Sequence, residues 1–113
     1  MAVAGSKARK FSSAVGDDAV RFSDDIRIAP ALDKQEGGSM SAYTAHFRAG
    51  ASAELPAPYA ELWVVLSGEL RVGAGDDAVT ARAGDLVHVP QEAPGAVEAL
   101  EDTTVVCVSV PAH

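Results

Sequence analysis

The stretch that predicts the fold is Tyr59-Ala60-Glu61-Leu62-Trp63-Val64-Val65-Leu66-Ser67-Gly68-Glu69-Leu70-Arg71-Val72. One acidic residue, Glu61, enters a nearly continuous apolar run, and a Ser-Gly pair separates this run from a second one. Apolar runs of this length, bounded by proline and glycine, are typical of strands that are buried on both faces. The pair Ser67-Gly68 predicts a tight hairpin, because glycine adopts the positive φ that such a turn requires.

Glu61 is the first candidate functional residue. A carboxylate in so apolar a strand must be paired, hydrogen-bonded or protonated, because burying it alone costs a large amount of free energy. A purely structural role is the alternative: Glu61 forms an ion pair with Arg48 or Arg82, or accepts a hydrogen bond from Tyr43.

Short apolar runs and turn residues alternate along the rest of the chain. Further strands are predicted over residues 19–22, 26–29, 39–48, 78–82, 86–89 and 103–110, with a loop over 30–38. About nine or ten short strands without a convincing helix indicate a sandwich or a barrel. This spacing alone does not separate a jelly roll from an immunoglobulin-like sandwich.

Length and composition limit the classes of protein. A chain of 113 residues is expected to form one domain, with residues 1–18 as a flexible N-terminal arm and 19–113 as the folded part. The formal charge of -7 argues against binding to nucleic acid or to anionic membranes. The single cysteine, Cys107, excludes an internal disulfide, and no apolar stretch has the length of a membrane span. We therefore predict a cytoplasmic protein.

The central stretch resembles the first sequence motif of the cupin superfamily, which contains a glycine, two histidines, a glutamate and a closing glycine. Gly50, Glu61 and Gly68 match the glycines and the glutamate, and Gly84 and Pro90 match the start of the second motif. The resemblance implies an all-β, single-domain cupin jelly-roll β-barrel with Glu61 pointing into it.

Within this superfamily, the pattern is most similar to ethanolamine-utilisation cupins of the EutQ type. Their Tyr-x-Glu pattern matches Tyr59-Ala60-Glu61, and their Leu-Glu-Gly-x-Leu pattern is similar to Leu66-Ser67-Gly68-Glu69-Leu70. The likeness extends over residues 38–90. Cupins of this type also lack the pair of histidines.

In metal-dependent cupins, the histidines of both motifs and the glutamate hold one divalent ion. The resemblance places the paired histidines on Glu54 and Pro56 or on Leu55 and Ala57, and the histidine of the second motif on Gly95. Carboxylates without imidazoles hold transition metals weakly. We therefore predict no bound metal and no other cofactor. The alternative is an atypical site in which His46 and His88 join Glu54 and Glu61.

The candidate site residues follow from strand parity and from the resemblance. Catalytic roles are predicted for Glu61, Tyr59 and His88, and substrate-binding roles for Trp63, Tyr43, His46, Arg48 and Glu54. A carboxyl group in a partly dry pocket is suited to act as a general acid or base, and a phenol can donate to a developing oxyanion.

These residues predict a metal-independent enzyme that acts on a small organic molecule by proton transfer, as an isomerase, lyase, dehydratase or cyclase does. The first alternative is a non-catalytic small-molecule binder or accessory subunit. The second is a metallocupin with the atypical site. We also expect a homodimer, because an open sheet needs its edges covered.

Overall fold

The computed structural model describes residues 7–36, 38–55 and 57–113. Within these ranges the strands are β1 (Val20–Ser23), β2 (Ile26–Leu32), β3 (Ser41–Phe47), β4 (Ser52–Glu54), β5 (Ala60–Ser67), β6 (Glu69–Gly73), β7 (Val79–Arg82), β8 (Leu86–Val89), β9 (Ala96–Ala99) and β10 (Thr103–Val110). The only helical segments of the described chain are single 3-10 turns over Lys34–Glu36 and Gly75–Asp77. No helix in these ranges has the length and apolar character needed to cross a membrane.

The strands form two antiparallel sheets that face each other. One sheet has the order β1-β2-β3-β10-β5-β8, and the other has the order β4-β9-β6-β7. The core between them consists of side chains from the inner face of each sheet, among them Ile26, Phe47, Val65, Leu70, Val97 and Val105. The predicted all-β jelly-roll fold is confirmed.

The side chains of β5 alternate strictly between the core and the outside. Glu61, Trp63 and Val65 are buried, whereas Leu62 and Leu66 on the other face are each 43% exposed. The prediction that this strand is buried on both faces is therefore wrong for the single chain. A sheet that is covered on one side alternates with period two, and here the outward positions are also apolar.

Gly68 connects the two sheets and does not form a hairpin. β5 pairs with β10 and β8, whereas β6 pairs with β7 and β9. The predicted hairpin is wrong, because the two strands find their partners in different sheets. The positive φ is confirmed at 88°, and a Cβ at this position would collide with the backbone of Asp102 and Thr103.

Several strands differ from the sequence prediction. β2 continues through Pro30, which pairs with Tyr43 of β3, while its pairing with β1 reaches only as far as Ile28. The missing N–H of Pro30 therefore interrupts no pairing with β1, which is where proline is tolerated in a sheet. The short strands β4 and β9 are absent from the prediction, whereas β8 and β10 have the predicted bounds.

The predicted N-terminal arm is described only in part. Residues 1–6 lie outside the described ranges, and residues 7–19 form neither helix nor strand. Its flexibility stays a prediction.

Candidate functional site

A cavity of about 300 Å³ lies between the two sheets and opens to the surface. Its walls come from the inner face of the large sheet and from β4, the segment after β4, and β9. The predicted site residues that line it are Tyr43, Glu54, Tyr59, Glu61 and Trp63. Strand parity and sheet order together bring these residues to one place.

Glu61 is held at the wall of this cavity by two hydrogen bonds. Its side chain is only 6% exposed. The Tyr43 hydroxyl donates to Oε1 across 2.6 Å, and the Ser109 hydroxyl donates to the same oxygen across 3.2 Å. Tyr43 lies on β3 and Ser109 on β10, directly opposite Glu61, so three neighbouring strands fix the orientation of the carboxyl group.

The second carboxyl oxygen of Glu61, Oε2, receives no hydrogen bond from the described residues. Both hydrogen bonds converge on Oε1, and within the described ranges Oε2 has no hydrogen-bond partner. Oε2 is also not among the fully enclosed polar atoms that lack a partner. Glu61 lines the cavity, and Oε2 is its one carboxyl oxygen without a hydrogen bond from the described residues.

The ion pairs considered for Glu61 do not form. Arg48 lies 3.9 Å from Asp25, and Arg82 lies 2.6 Å from Glu69. Both arginine side chains are exposed and lie outside the cavity lining. Of the structural partners considered, the Tyr43 hydrogen bond is confirmed.

The indole of Trp63 is the other unusual group of the cavity. Its side chain is 5% exposed, and Nε1 is the one fully buried side-chain nitrogen or oxygen in the described ranges without a hydrogen-bond partner. A buried donor that lacks an acceptor costs about 1–3 kcal/mol, so native proteins rarely leave one unpaired.

Burial governs the titration of the other polar groups at the site. Burial, together with the nearby Cys107 and Glu61, raises the pKa of Tyr43 far above its ordinary value. Burial and the nearby Glu61 also raise the pKa of the Cys107 thiol. Tyr43 is therefore a protonated hydrogen-bond donor at neutral pH, and Cys107 is an unreactive thiol, since the thiolate is the nucleophile.

Tyr59 and Glu54 lie at the rim of the cavity. Burial raises the pKa of Tyr59, with a smaller effect from Glu61. Its ring stacks on the imidazole of His113, with 3.8 Å between ring centroids. Glu54 is exposed on β4.

Three predicted site residues lie outside the cavity. His88 is exposed on β8, on the face opposite to that of Val87 and Val89. His46 points outward from β3, with Nδ1 3.0 Å from Oγ1 of Thr104, and Arg48 faces the same surface groove. Their outward parity places them away from Glu61, so the structure does not bring His88 together with Glu61 and Tyr59.

The donor set does not fit the divalent ion of metal-dependent cupins. In the described ranges, no group of three or more His, Cys, Asp or Glu side chains converges. Leu55, Ala57 and Gly95 carry no donor at the motif positions, and Pro56 lies outside the described residues. Because His46 and His88 are on the outer surface, they cannot complete a site at Glu61.

Sequence reasoning missed Ser109. The inward positions of β10 read Thr103, Val105, Cys107 and Ser109, and Ser109 is fully buried. A hydroxyl at the inward parity of an apolar strand is the signal that could have identified it as a partner of a buried polar group.

Comparisons with known proteins agree with this architecture. An ethanolamine utilization protein Q from Salmonella typhimurium superimposes with a TM-score of 0.71 at 25% identity, covering 78% of this chain and 71% of that chain. Ectoine synthase from P. lautus superimposes with a TM-score of 0.78 at 16% identity, covering 93% and 78%. KdgF from Halomonas sp. gives a TM-score of 0.74 at 18% identity, covering 85% and 89%. No curated protein matches the chain.

The family assignment is based on the sequence match and on the fold together. The family model described as cupin domain matches residues 43–111, which is more than half of the chain. The two facing antiparallel sheets are the jelly roll that this match implies. The chain therefore belongs to the cupin family and resembles EutQ proteins.

Proposed function

We propose that this cupin is a metal-independent enzyme that transfers a proton to or from a small organic molecule at Glu61. The observation that carries the proposal is the asymmetry of the carboxyl group. Oε1 accepts hydrogen bonds from Tyr43 and Ser109, whereas Oε2 has no partner among the described residues, and Glu61 lines the cavity. A general acid or base works best when it is already oriented toward the reacting atom, because no reorganisation is then needed during the reaction.

The walls of the cavity support the same chemistry. The unpaired N–H of Trp63 lies two residues along the same strand face from Glu61 and can donate to an oxygen on which negative charge develops. The phenol of Tyr59 at the rim is a second candidate donor. Many isomerisations, eliminations and cyclisations proceed through a proton transfer of this kind next to a polarised group. The ectoine synthase among the structural relatives is named as an enzyme, which supports catalysis by a barrel of this kind.

Solvent deuterium exchange tests the proposal without knowledge of the net reaction. The protein is incubated in D₂O with a panel of small carbonyl, hydroxy and amino compounds, and deuterium incorporation is measured by NMR. We expect at least one compound to exchange, and Glu61→Gln to slow that exchange by about 100-fold or more. Glu98→Gln is the matched control, because Glu98 is exposed on the outer face of β9. Equal exchange by the Glu61→Gln and unaltered proteins would overturn the assignment.

A non-catalytic ligand-binding or accessory role is the second candidate. The unpaired indole N–H of Trp63 favours it, since a bound acceptor would satisfy this donor whether or not a reaction follows. Saturable binding of a compound that shows no exchange or turnover would identify this role.

We further propose that the chain forms a homodimer through the outer face of the large sheet. Leu62, Val64 and Leu66 on β5 lie beside Val106 and Val108 on β10, and none of these outward positions is charged. In a dimer with twofold symmetry, the outer face of one copy would pack against the same face of the second copy, and both apolar surfaces would be buried.

A further inference from the structure

The chemistry of the cavity lining is acidic and aromatic. Its acidic residues are Glu61 and Glu54, and no Lys, Arg or His is among the described residues that line it. The aromatic residues of the lining are Phe22, Tyr43, Phe47, Tyr59 and Trp63. Aromatic faces and carboxyl groups both attract cations.

Glu61 has no basic partner in the fold. In the described ranges, both of its hydrogen bonds come from neutral hydroxyl groups, and no ion pair includes it. Buried acidic groups in proteins are usually paired with a cation or a metal. A bound cation at Oε2 would supply the partner that the chain itself does not provide.

Trp63 adds a requirement for a hydrogen-bond acceptor on the same ligand. Its buried Nε1–H has no acceptor among the described residues. Glu61 and Trp63 point to the same side of β5, so their Cα atoms are about 6–7 Å apart. A ligand that contacts both groups must therefore carry its positive charge and its acceptor only a few bonds apart.

We propose that the cavity binds a small organic cation, namely an ammonium compound that also carries a hydrogen-bond acceptor such as an ether, hydroxyl or carbonyl oxygen. The ammonium group contacts Oε2 of Glu61, and the acceptor receives the N–H of Trp63. The volume of about 300 Å³ lies at the lower end of small-molecule sites, which suits a compact ligand. This inference rests on the proposed function, because it assigns the substrate class of the same site.

Four small probes of similar size separate the features of such a ligand. The compound 3-methoxypropylammonium carries both the charge and the acceptor. Replacing its ammonium by methyl gives 1-methoxybutane, which keeps only the acceptor. Replacing its oxygen by methylene gives pentylammonium, which keeps only the charge, and 4-methoxybutanoate reverses the charge. Each probe is titrated into the full chain up to about 100 mM, because fragments of this size bind in the millimolar range.

The readout is the ¹H–¹⁵N spectrum of the protein. The chain contains one tryptophan, so its indole N–H gives a single unambiguous signal. We expect 3-methoxypropylammonium to bind at least tenfold more tightly than 1-methoxybutane and to move the indole signal downfield. Pentylammonium is expected to bind more weakly and to leave this signal nearly unchanged, because it offers no acceptor.

Several outcomes would overturn the ligand class. Equal or tighter binding of 1-methoxybutane or 4-methoxybutanoate would do so, and so would the absence of any signal change with 3-methoxypropylammonium. These results leave the deuterium-exchange test of Glu61 untouched, so the ligand class and the proposed function fail separately.

Two variants test whether the bound cation contacts Glu61. Glu61→Gln is expected to weaken binding of 3-methoxypropylammonium at least tenfold and to leave the affinity for 1-methoxybutane unchanged. Glu98→Gln is expected to change neither affinity. Unchanged cation affinity in Glu61→Gln would overturn the contact. If this variant does not fold, the four-probe series in the unaltered protein still decides the proposal.

Discussion

The hydroxyl of Tyr43 donates a hydrogen bond of 2.6 Å to Oε1 of Glu61, a residue 18 positions further along the chain. The two residues lie on β3 and β5, with β10 between them. The contact therefore spans the middle of the large sheet and fixes both side chains at the wall of the cavity.

Removal of this hydrogen bond is expected to destabilise the fold. Tyr43→Phe leaves the buried carboxyl group with one donor in place of two, and we expect the free energy of unfolding to fall by about 1–2 kcal/mol in urea denaturation. Tyr59→Phe is the matched control, since the Tyr59 hydroxyl makes no hydrogen bond within the described ranges. Its effect is expected to stay within about 0.5 kcal/mol. An equal loss in both variants would contradict the assigned role of the Tyr43 hydroxyl.

Stability is expected to decline in alkaline solution because of Cys107 and Tyr43. Burial raises the pKa of each group above its ordinary value of 9.0 or 10.0. Below these values both groups are protonated in the folded and unfolded chains, so their contribution to stability is fully present. Above about pH 9 the unfolded chain releases these protons while the folded chain retains them, so the free energy of unfolding falls. Each group contributes up to about 1.4 kcal/mol per pH unit.

Urea denaturation between about pH 8 and pH 11 measures this slope. Cys107→Ala and Tyr43→Phe should each make the decline shallower, whatever their effect on stability at pH 8. A slope unchanged in both variants would contradict the assignment of the alkaline decline to these two groups.

Gly68 is expected to tolerate no side chain. Gly68→Ala combines a strained φ of 88° with a collision against the backbone of Asp102 and Thr103, and we expect a loss of about 3 kcal/mol or more. Gly50→Ala is the control, because Gly50 has a similar φ of 85° but no atom within 4 Å of the added Cβ. Its loss should be about 1 kcal/mol. Similar losses in the two variants would show that backbone strain alone, and not the close approach, limits Gly68.

Measuring the oligomeric state tests the proposal that the outer face of the large sheet is a dimer interface. Leu62→Glu places a charge in the middle of the proposed interface, and we expect the dissociation constant of the dimer to rise at least tenfold in analytical ultracentrifugation. Leu100→Glu is the control, because Leu100 has a similar exposure of 45% but lies beyond the end of β9. A monomeric unaltered protein at about 100 µM would contradict the proposed dimer.

The sequence predicts those features of the structure that local patterns determine. The positive φ of Gly68 and the bounds of β8 and β10 follow from turn residues and from alternation. Because parity is local, Glu61 and Trp63 could be assigned to one face of β5. The same argument separates Tyr43 from His46 on β3, so these two residues could not both line one cavity.

The remaining features depend on contacts between distant residues. Nothing near Ser67 indicates that β5 and β6 belong to different sheets, because that choice is made by β10, β8, β9 and β7. The hydrogen bond from Ser109 to Glu61 joins residues that are 48 positions apart. Whether His88 is buried or exposed likewise depends on which face of the sheet packs against the core.

The position of β10 has a consequence for the synthesis of the protein. This strand, residues 103–110, is the last strand of the described chain, yet it lies in the centre of the large sheet, between β3 and β5. While the ribosome is still translating it, β3 and β5 each expose a hydrogen-bonding edge that has no partner, and Glu61 has no Ser109. Such edges are prone to pair with other chains. The nascent polypeptide therefore reaches its folded state only after translation of β10, and a messenger truncated before the codons of this strand would yield a product that needs chaperones or degradation.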